Sequence, residues 1–361
     1  MSQRPLRESN IELLRIMSAC GVIMLHYNSV KNGGFAGAAD GSINQFILVL
    51  LEAFSICAVN VFVLITGYFM CKVNKRDGLK PLSLVMQVLV FALITVLAKR
   101  IFLHQSSSID DLFEYVFSGN WFVYVFVALY FISPFINIVW EHLDVSGRKL
   151  LIGISFVLFS VYPTVIDILK YWSGRQLAGS STIGIDGAQA GYTIVNFVLV
   201  YLIGAGIRDM DEKHVPTVGH LLFWYILSIL VTVAWSYADG IRAGKNIYDT
   251  IAWNYNNPLI ISQAALLFMM FRKIKITNNR IINAIAGGTF TVYILNLRLV
   301  GFLDAKRFAG GDTPLLILHI IGSIIGIYVF SYICYVLYLL IKRPIYKMIS
   351  EKWYRNRRFT V

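Results

Sequence analysis

Ionisable side chains are scarce in the apolar stretches of this chain, and two of them share a helical face. Arg15 and His26, in RIMSACGVIMLH, are eleven residues apart. Eleven residues make three helical turns with about 20° left over, so both side chains project on one side. Along the axis they are separated by roughly 16 Å, which precludes direct contact. One face therefore offers a permanent guanidinium at one depth and an imidazole at another. An imidazole held neutral keeps a ring nitrogen free to take a proton, which suits general-base or nucleophilic work. The plain alternative is that Arg15 snorkels to the headgroups, paired with Glu12 at i−3, while His26 is an ordinary satisfied polar group.

The remaining polar groups inside apolar stretches are Glu52, Arg298 and His319, with Asn60, Gln87, Asn196, Gln263 and Asn296. Such groups usually face a cavity and mark function. Glu52 and Asn60, eight residues apart, lie near one helical face. The carboxylate could orient His26, or could pair with Arg298 in a structural ion pair. The run Trp121, Phe122, Tyr124, Phe126, Tyr130 opens an apolar stretch. Interface aromatics usually anchor a span, but stacked rings also suit a sugar. No phosphate loop, zinc-ligand spacing or nucleophile elbow occurs, and the four cysteines (Cys20, Cys57, Cys71, Cys334) form no metal or redox pattern, so no metal is expected.

Composition dictates what must hold these residues. Of 361 residues 57% are hydrophobic and 14% charged, far from the roughly one-quarter charged of soluble domains. Apolar runs of about twenty residues recur, each able to cross a hydrocarbon core. The fold class read from this is all-α, a polytopic membrane helical bundle of about ten transmembrane helices. The spans are placed at about 11–30, 44–70, 79–103, 121–140, 149–167, 192–208, 218–238, 254–271, 281–303 and 314–341. The ninth is diluted by Ala286-Gly287-Gly288-Thr289. A closed β-barrel would need short alternating segments, which are absent. The first span carries Glu12 and Arg15 and no small-residue cleavage site, so it is expected to remain as a span.

Orientation follows from Lys and Arg. With the N-terminus inside, 21 basic residues fall on the inner side, among them Arg4, Arg7, Lys72, Lys75, Arg76 and Lys80, and seven in the 342–361 tail; nine fall outside. That bias predicts both termini cytoplasmic, with a basic cytoplasmic tail over 342–361. The net charge of +12 resides in these short loops, so nucleic acid is not an expected partner; membrane lipids are. The outer segments at 104–120, 168–191 and 239–253 are too short for a folded domain, so residues 1–361 form one membrane-embedded unit. Ser173–Gly191 reads as an irregular outer loop, either a lid or a plain connector.

Four stretches resemble the acyltransferase-3 family of integral-membrane acyltransferases: NIELLRIMSACGVIMLHY, AVNVFVLITGYF, GNWFVYVFVALYFISPFIN and GTFTVYILNLRLV. The likeness is greatest to the bacterial branch that O-acetylates glycans, and it extends over essentially the whole chain. It implies that Arg15 and His26 are catalytic and that a cytosolic acyl-CoA, commonly acetyl-CoA, is the donor co-substrate, with no bound cofactor. It implies an acceptor that is a glycan or lipid-linked saccharide, and a location in the cell membrane. In the basic inner loop KVNKRDGLK, Lys72, Lys75 and Arg76 lie where relatives have residues suited to the phosphates of coenzyme A, although a plain positive-inside loop would look the same. Tyr293, Asn296 and Arg298 fall in the last matching stretch; with Glu52, Asn60, Trp121 and Tyr124 they are the candidate orienting or substrate-binding residues. Relatives often read VYLIH where this chain reads VYILN, so the family histidine is replaced by Asn296; either that histidine is dispensable here or the acceptor differs.

The resulting expectation is a membrane O-acyltransferase, an O-acetyltransferase acting on a cell-envelope or exported polysaccharide. His26 would act as general base or carry the acetyl group transiently. The rival is a transporter or flippase for a lipid-linked sugar, which predicts interrupted helices in matched halves. No such repeat is visible.

Overall fold

The computed structural model describes residues 7–102, 104, 108–243 and 247–356. The expected inner-side Arg4 and the tail residues beyond 356, Arg358 included, lie outside them. Among the described residues every regular element is helical and no strand occurs. The longer helices are α1 (Ser9–Tyr27), α2 (Ile43–Ser55), α3 (Ala58–Met70), α4 (Leu79–Phe102), α5 (Trp121–His142), α6 (Val145–Phe156), α7 (Tyr162–Ser173), α8 (Ile194–Asp209), α9 (Val218–Ala243), α10 (Pro258–Lys273), α11 (Thr289–Val300) and α12 (Thr313–Asn356). Side-chain caps start several of them. Ser42, Thr193 and Asn257 each accept from a backbone N–H of the first turn, and Pro258 supplies a first position that needs no N–H.

Six helical stretches among the described residues are long and apolar enough to cross a membrane: Ile43–Met70, Leu79–Phe102, Ile109–His142, Val145–Ser173, Val218–Arg242 and Thr313–Pro344. The chain is therefore a helical, multi-pass membrane protein. The spans expected at 11–30, 192–208, 254–271 and 281–303 also form helices, but shorter or more polar ones: α1, α8, α10 and α11. The physical reason is position. These helices pack inside the bundle, where other helices rather than lipid surround them, and a helix shielded from lipid need not be uniformly apolar. The lipid-type surface belongs instead to the long helices, which expose Leu82 and Leu97 on α4, Phe223 and Leu230 on α9, and Leu318 and Ile325 on α12.

The ninth expected span is two helices. Arg280–Ala286 ends at Gly287-Gly288, and α11 begins beyond it. Tyr332 and Tyr335 of α12 pack against these two glycines, in space that a Cβ would occupy. α6 and α7 form one rod joined by a π-helical turn at Val157–Val161.

Two devices bring the inner helices together. α3 and α8 cross at glycines: Gly67 faces the carbonyl of Tyr201 and Gly204 faces that of Leu64, so a Cβ at either would strike backbone. Buried amides and hydroxyls bridge other pairs, as where Gln87 donates to Thr291 (2.8 Å) and Gln263 to Thr232 (3.0 Å). Inside α5, Pro134 has no N–H for the Tyr130 carbonyl, and the Ser133 hydroxyl takes that acceptor at 2.9 Å.

Candidate active site

α1 supplies the face that carries Arg15 and His26. His26, half-buried near its C-terminal end, meets Asn296 of α11: Nδ1 of the ring lies against Oδ1 of the amide. Asn296 is fully buried, and its Nδ2 donates to the carbonyls of Val292 (3.0 Å) and Tyr293 (2.6 Å). Both of those partners are acceptors, so the amide nitrogen is committed and the oxygen is what faces the ring. The neutral imidazole that satisfies this contact carries its proton on Nδ1 and donates it to Asn296. Nε2 is then left as an unprotonated base.

Arg15, on the same face, turns back toward the N-terminus of α1. Its Nη1 donates to both carboxylate oxygens of Glu12, at 3.0 and 2.8 Å, so the expected i−3 pair is present. Nη2 and Nε make no hydrogen bond among the described residues. The guanidinium lines a cavity of about 230 Å³ whose walls are Val22, Phe62, Ile65, Phe122 and Tyr293. Val22 lies one turn below His26, and Tyr293 one turn below Asn296. The cavity thus runs from Arg15 to just beneath the His26–Asn296 pair, with mostly apolar walls into which Thr66 and Thr289 also face.

An aromatic cluster adjoins the cavity and shares Phe122 and Tyr293 with its walls. Trp121 packs on Tyr192 (ring centroids 4.3 Å) and Tyr255 (6.0 Å), Tyr192 on Tyr255 (5.1 Å), and Phe122 on Tyr293 (5.4 Å). The Ser173–Gly191 loop builds one wall. The carbonyl of Ala190 accepts from the Tyr255 N–H at 2.8 Å, and Gly191, at φ +83°, sits where a Cβ would strike the backbone of Asn256.

Several expected site residues have other employment. Glu52 reaches neither His26 nor Arg298. It accepts from Asn28 Nδ2 at 2.8 Å. The reason is that α2 runs beside the end of α1, where Asn28 intervenes. Asn60 is wholly buried: it donates to the Tyr255 carbonyl (2.7 Å) and accepts from Asn196 (3.3 Å), so it holds the wall and is not open to a substrate. Tyr124 leaves the cluster, donating to the Val116 carbonyl (3.0 Å) and stacking on Phe117. Arg298 donates to the Tyr115 carbonyl (2.7 Å), on the far side of α11 from His26. His319 meets Tyr27 (2.7 Å) and stacks on Phe308, away from the cavity.

On the basic loop between α3 and α4, Arg76 is occupied: Nε and Nη2 donate to Ser133 (3.2 and 2.8 Å), and Nη1 donates to the Val73 carbonyl. Lys72 pairs with Asp209 at 3.2 Å, while Lys75 is exposed. Sequence reasoning missed Tyr192, Tyr255 and Asn28. The first two border loops and look like ordinary interface aromatics; only their convergence on Trp121 distinguishes them.

Fold and site define a polytopic helical protein with an oriented imidazole above an apolar, arginine-ended cavity. The family model described as an acyltransferase domain (acyltransferase-3) matches residues 8–336. The chain belongs to this family and is a membrane acyltransferase. No curated protein and no solved structure matches it.

Proposed function

We propose that the protein is an O-acyltransferase that moves an acetyl group from cytosolic acetyl-CoA to a hydroxyl of a cell-envelope or exported glycan, in a bacterial cell membrane. The observation that carries this reading is the His26–Asn296 contact above the apolar cavity. In this reading the chain crosses the membrane ten times with both termini cytoplasmic, which puts Arg15 at the inner end of the cavity and the aromatic cluster at the outer end. The thin arm of coenzyme A threads the cavity, its phosphates held by Arg15 and by the exposed Lys75. Arg76 contributes by fixing the loop, since its donors are already taken.

The acceptor hydroxyl attacks the thioester carbonyl while Nε2 of His26 takes its proton. The carbon–sulfur bond then breaks, the electron pair leaves on sulfur, and the proton on His26 returns to the thiolate. Arg15, turned back toward Glu12 and roughly 16 Å away along the helix, holds the donor and does not polarise the reacting carbonyl. The same free Nε2 would serve if His26 carried the acetyl group between two transfers. Trp121, Tyr192 and Tyr255 offer ring faces for the acceptor sugar, with Glu52 accepting from its hydroxyls. Nothing in the site favours a carrier for lipid-linked sugar. The deciding experiment is acetyl-CoA turnover by the purified protein with candidate glycans, read by the mass of the product; absence of any acetylated product with every glycan class would reject the reading.

A further inference from the structure

We propose that a groove between α4, α11 and α12 binds an anionic membrane lipid by its phosphate headgroup, at a site separate from the acyl-transfer cavity. The groove has a volume of about 460 Å³ and is lined by apolar side chains, among them Ile94, Ala98, Leu295, Phe330 and Leu337. At one end stand its two cations, Lys99 and Arg298, each in the last turn of its helix. Both also line an adjoining, more polar pocket of about 260 Å³ with Tyr115 and Asn120. An apolar trough opening into a polar chamber with two shared cations is the shape of a lipid with a charged head.

The chemistry of the chamber agrees. Lys99 and Arg298 lie over the same ring, 5.0 and 4.9 Å from the Tyr115 centroid, and Lys99 Nζ also donates to the Tyr115 hydroxyl. No carboxylate within ion-pair distance neutralises either cation among the described residues, although the exposed Glu114 borders the pocket. Arg298 spends Nη2 on the Tyr115 carbonyl, and its buried Nη1 has no partner among the described residues. Asn120, 1% exposed, donates to the Tyr115 carbonyl at 2.6 Å and leaves Oδ1 without a donor. Helix C-termini favour cations, which accounts for one basic residue at each end. It does not account for two like charges converging on one ring beside an unpartnered amide. A phosphate oxygen satisfies both cations, and the remaining P–OH of a phosphate monoester donates to Asn120. Arg298 follows Asn296 by two residues, about 200° around α11, so this site lies across that helix from His26.

The test uses the whole protein in a neutral maltoside detergent, with retained lipid counted by native mass spectrometry. Dioleoyl phosphatidic acid is titrated beside dioleoylglycerol, which lacks the charge, and inorganic phosphate, which lacks the chains. One phosphatidic acid per chain should be retained in preference to both controls. Lys99→Gln and Arg298→Gln should each weaken it roughly tenfold, as expected for loss of a charge-assisted hydrogen bond. Ala98→Trp, which fills the trough and leaves both cations, should also displace it. Because Arg298 ties down backbone, Lys99→Gln and Ala98→Trp carry the test if Arg298→Gln unfolds. Native retention by Lys99→Gln, equal retention of dioleoylglycerol, or equal binding of inorganic phosphate would each overturn the proposal.

Discussion

Asn296 Nδ2 is committed to the carbonyls of Val292 and Tyr293, and this obliges Oδ1 to accept from Nδ1 of His26. An amide locked by its own helix thus selects one tautomer of an imidazole on another helix. Carboxylates more often orient a base in this way. An uncharged amide does the same work without adding a second ionisable group inside the bundle, where each such group is costly.

His26→Ala should abolish transfer while leaving thermal stability and coenzyme A binding close to native. Loss of a general base typically costs 10²–10⁴-fold in rate. His26→Gln should fail equally, since an amide cannot take up the proton. The native rate should fall on acidification, because protonating Nε2 removes the base. Turnover near the native level in His26→Ala would reduce His26 to a bundle polar group.

Asn296 is a positioning residue, and its loss should be milder. Asn296→Leu removes the acceptor and frees the ring to adopt either tautomer, with an expected drop of about 10–100-fold in kcat, the size seen when groups that orient a key side chain are removed. The KM for the donor should stay unchanged. A raised donor KM with native kcat would place Asn296 in coenzyme A binding instead.

Arg15→Ala should raise the KM for acetyl-CoA far more than it lowers kcat. Arg15→Lys should not rescue it, because an ammonium cannot hold Glu12 and present a planar fork to phosphate together. Lys75→Ala should raise the same KM modestly, with little effect on stability. Donor affinity measured by calorimetry would remove Arg15 from the site if the alanine variant bound coenzyme A like the native protein.

Gly67→Ala should destabilise the bundle by about 1–3 kcal/mol, the usual cost of overpacking. The added Cβ would strike the Tyr201 carbonyl, which belongs to α8 and cannot move as a side chain could. Thermal unfolding in detergent reads this directly. Gly219→Ala, where nothing stands within 4 Å, is the matched control and should melt like the native chain.

The proposed topology puts Lys75 and the Ser173–Gly191 loop on opposite sides of the membrane. Cysteines introduced at Lys75 and at Ser180 should be labelled by an impermeant thiol reagent from opposite faces of sealed vesicles. Labelling of both from one face would reject the ten-span arrangement.

The sequence by itself determines the helical membrane class and the face shared by Arg15 and His26. Both depend only on local facts: apolar runs long enough to cross lipid, and a spacing of eleven on a 3.6-residue turn. The Glu12–Arg15 pair is legible for the same reason, because i and i+3 meet within one helix. The extent of each helix is less legible. A window of hydropathy cannot distinguish a helix facing lipid from one enclosed by others, and so α1, α8, α10 and α11 read as spans like the rest although they are shorter or more polar. Which residues meet across helices is decided by the tertiary structure alone. Asn296 lies 270 residues from His26, and Tyr192 and Tyr255 lie far along the chain from Trp121. No periodicity relates such positions. They are brought together by packing, where missing side chains at Gly67 and Gly204 let α3 and α8 close on each other and where Gly287-Gly288 sets the start of α11 against α12. Glu52 illustrates the same limit: its depth in a span suggests His26 or Arg298 as partner, but the neighbour that packing supplies is Asn28.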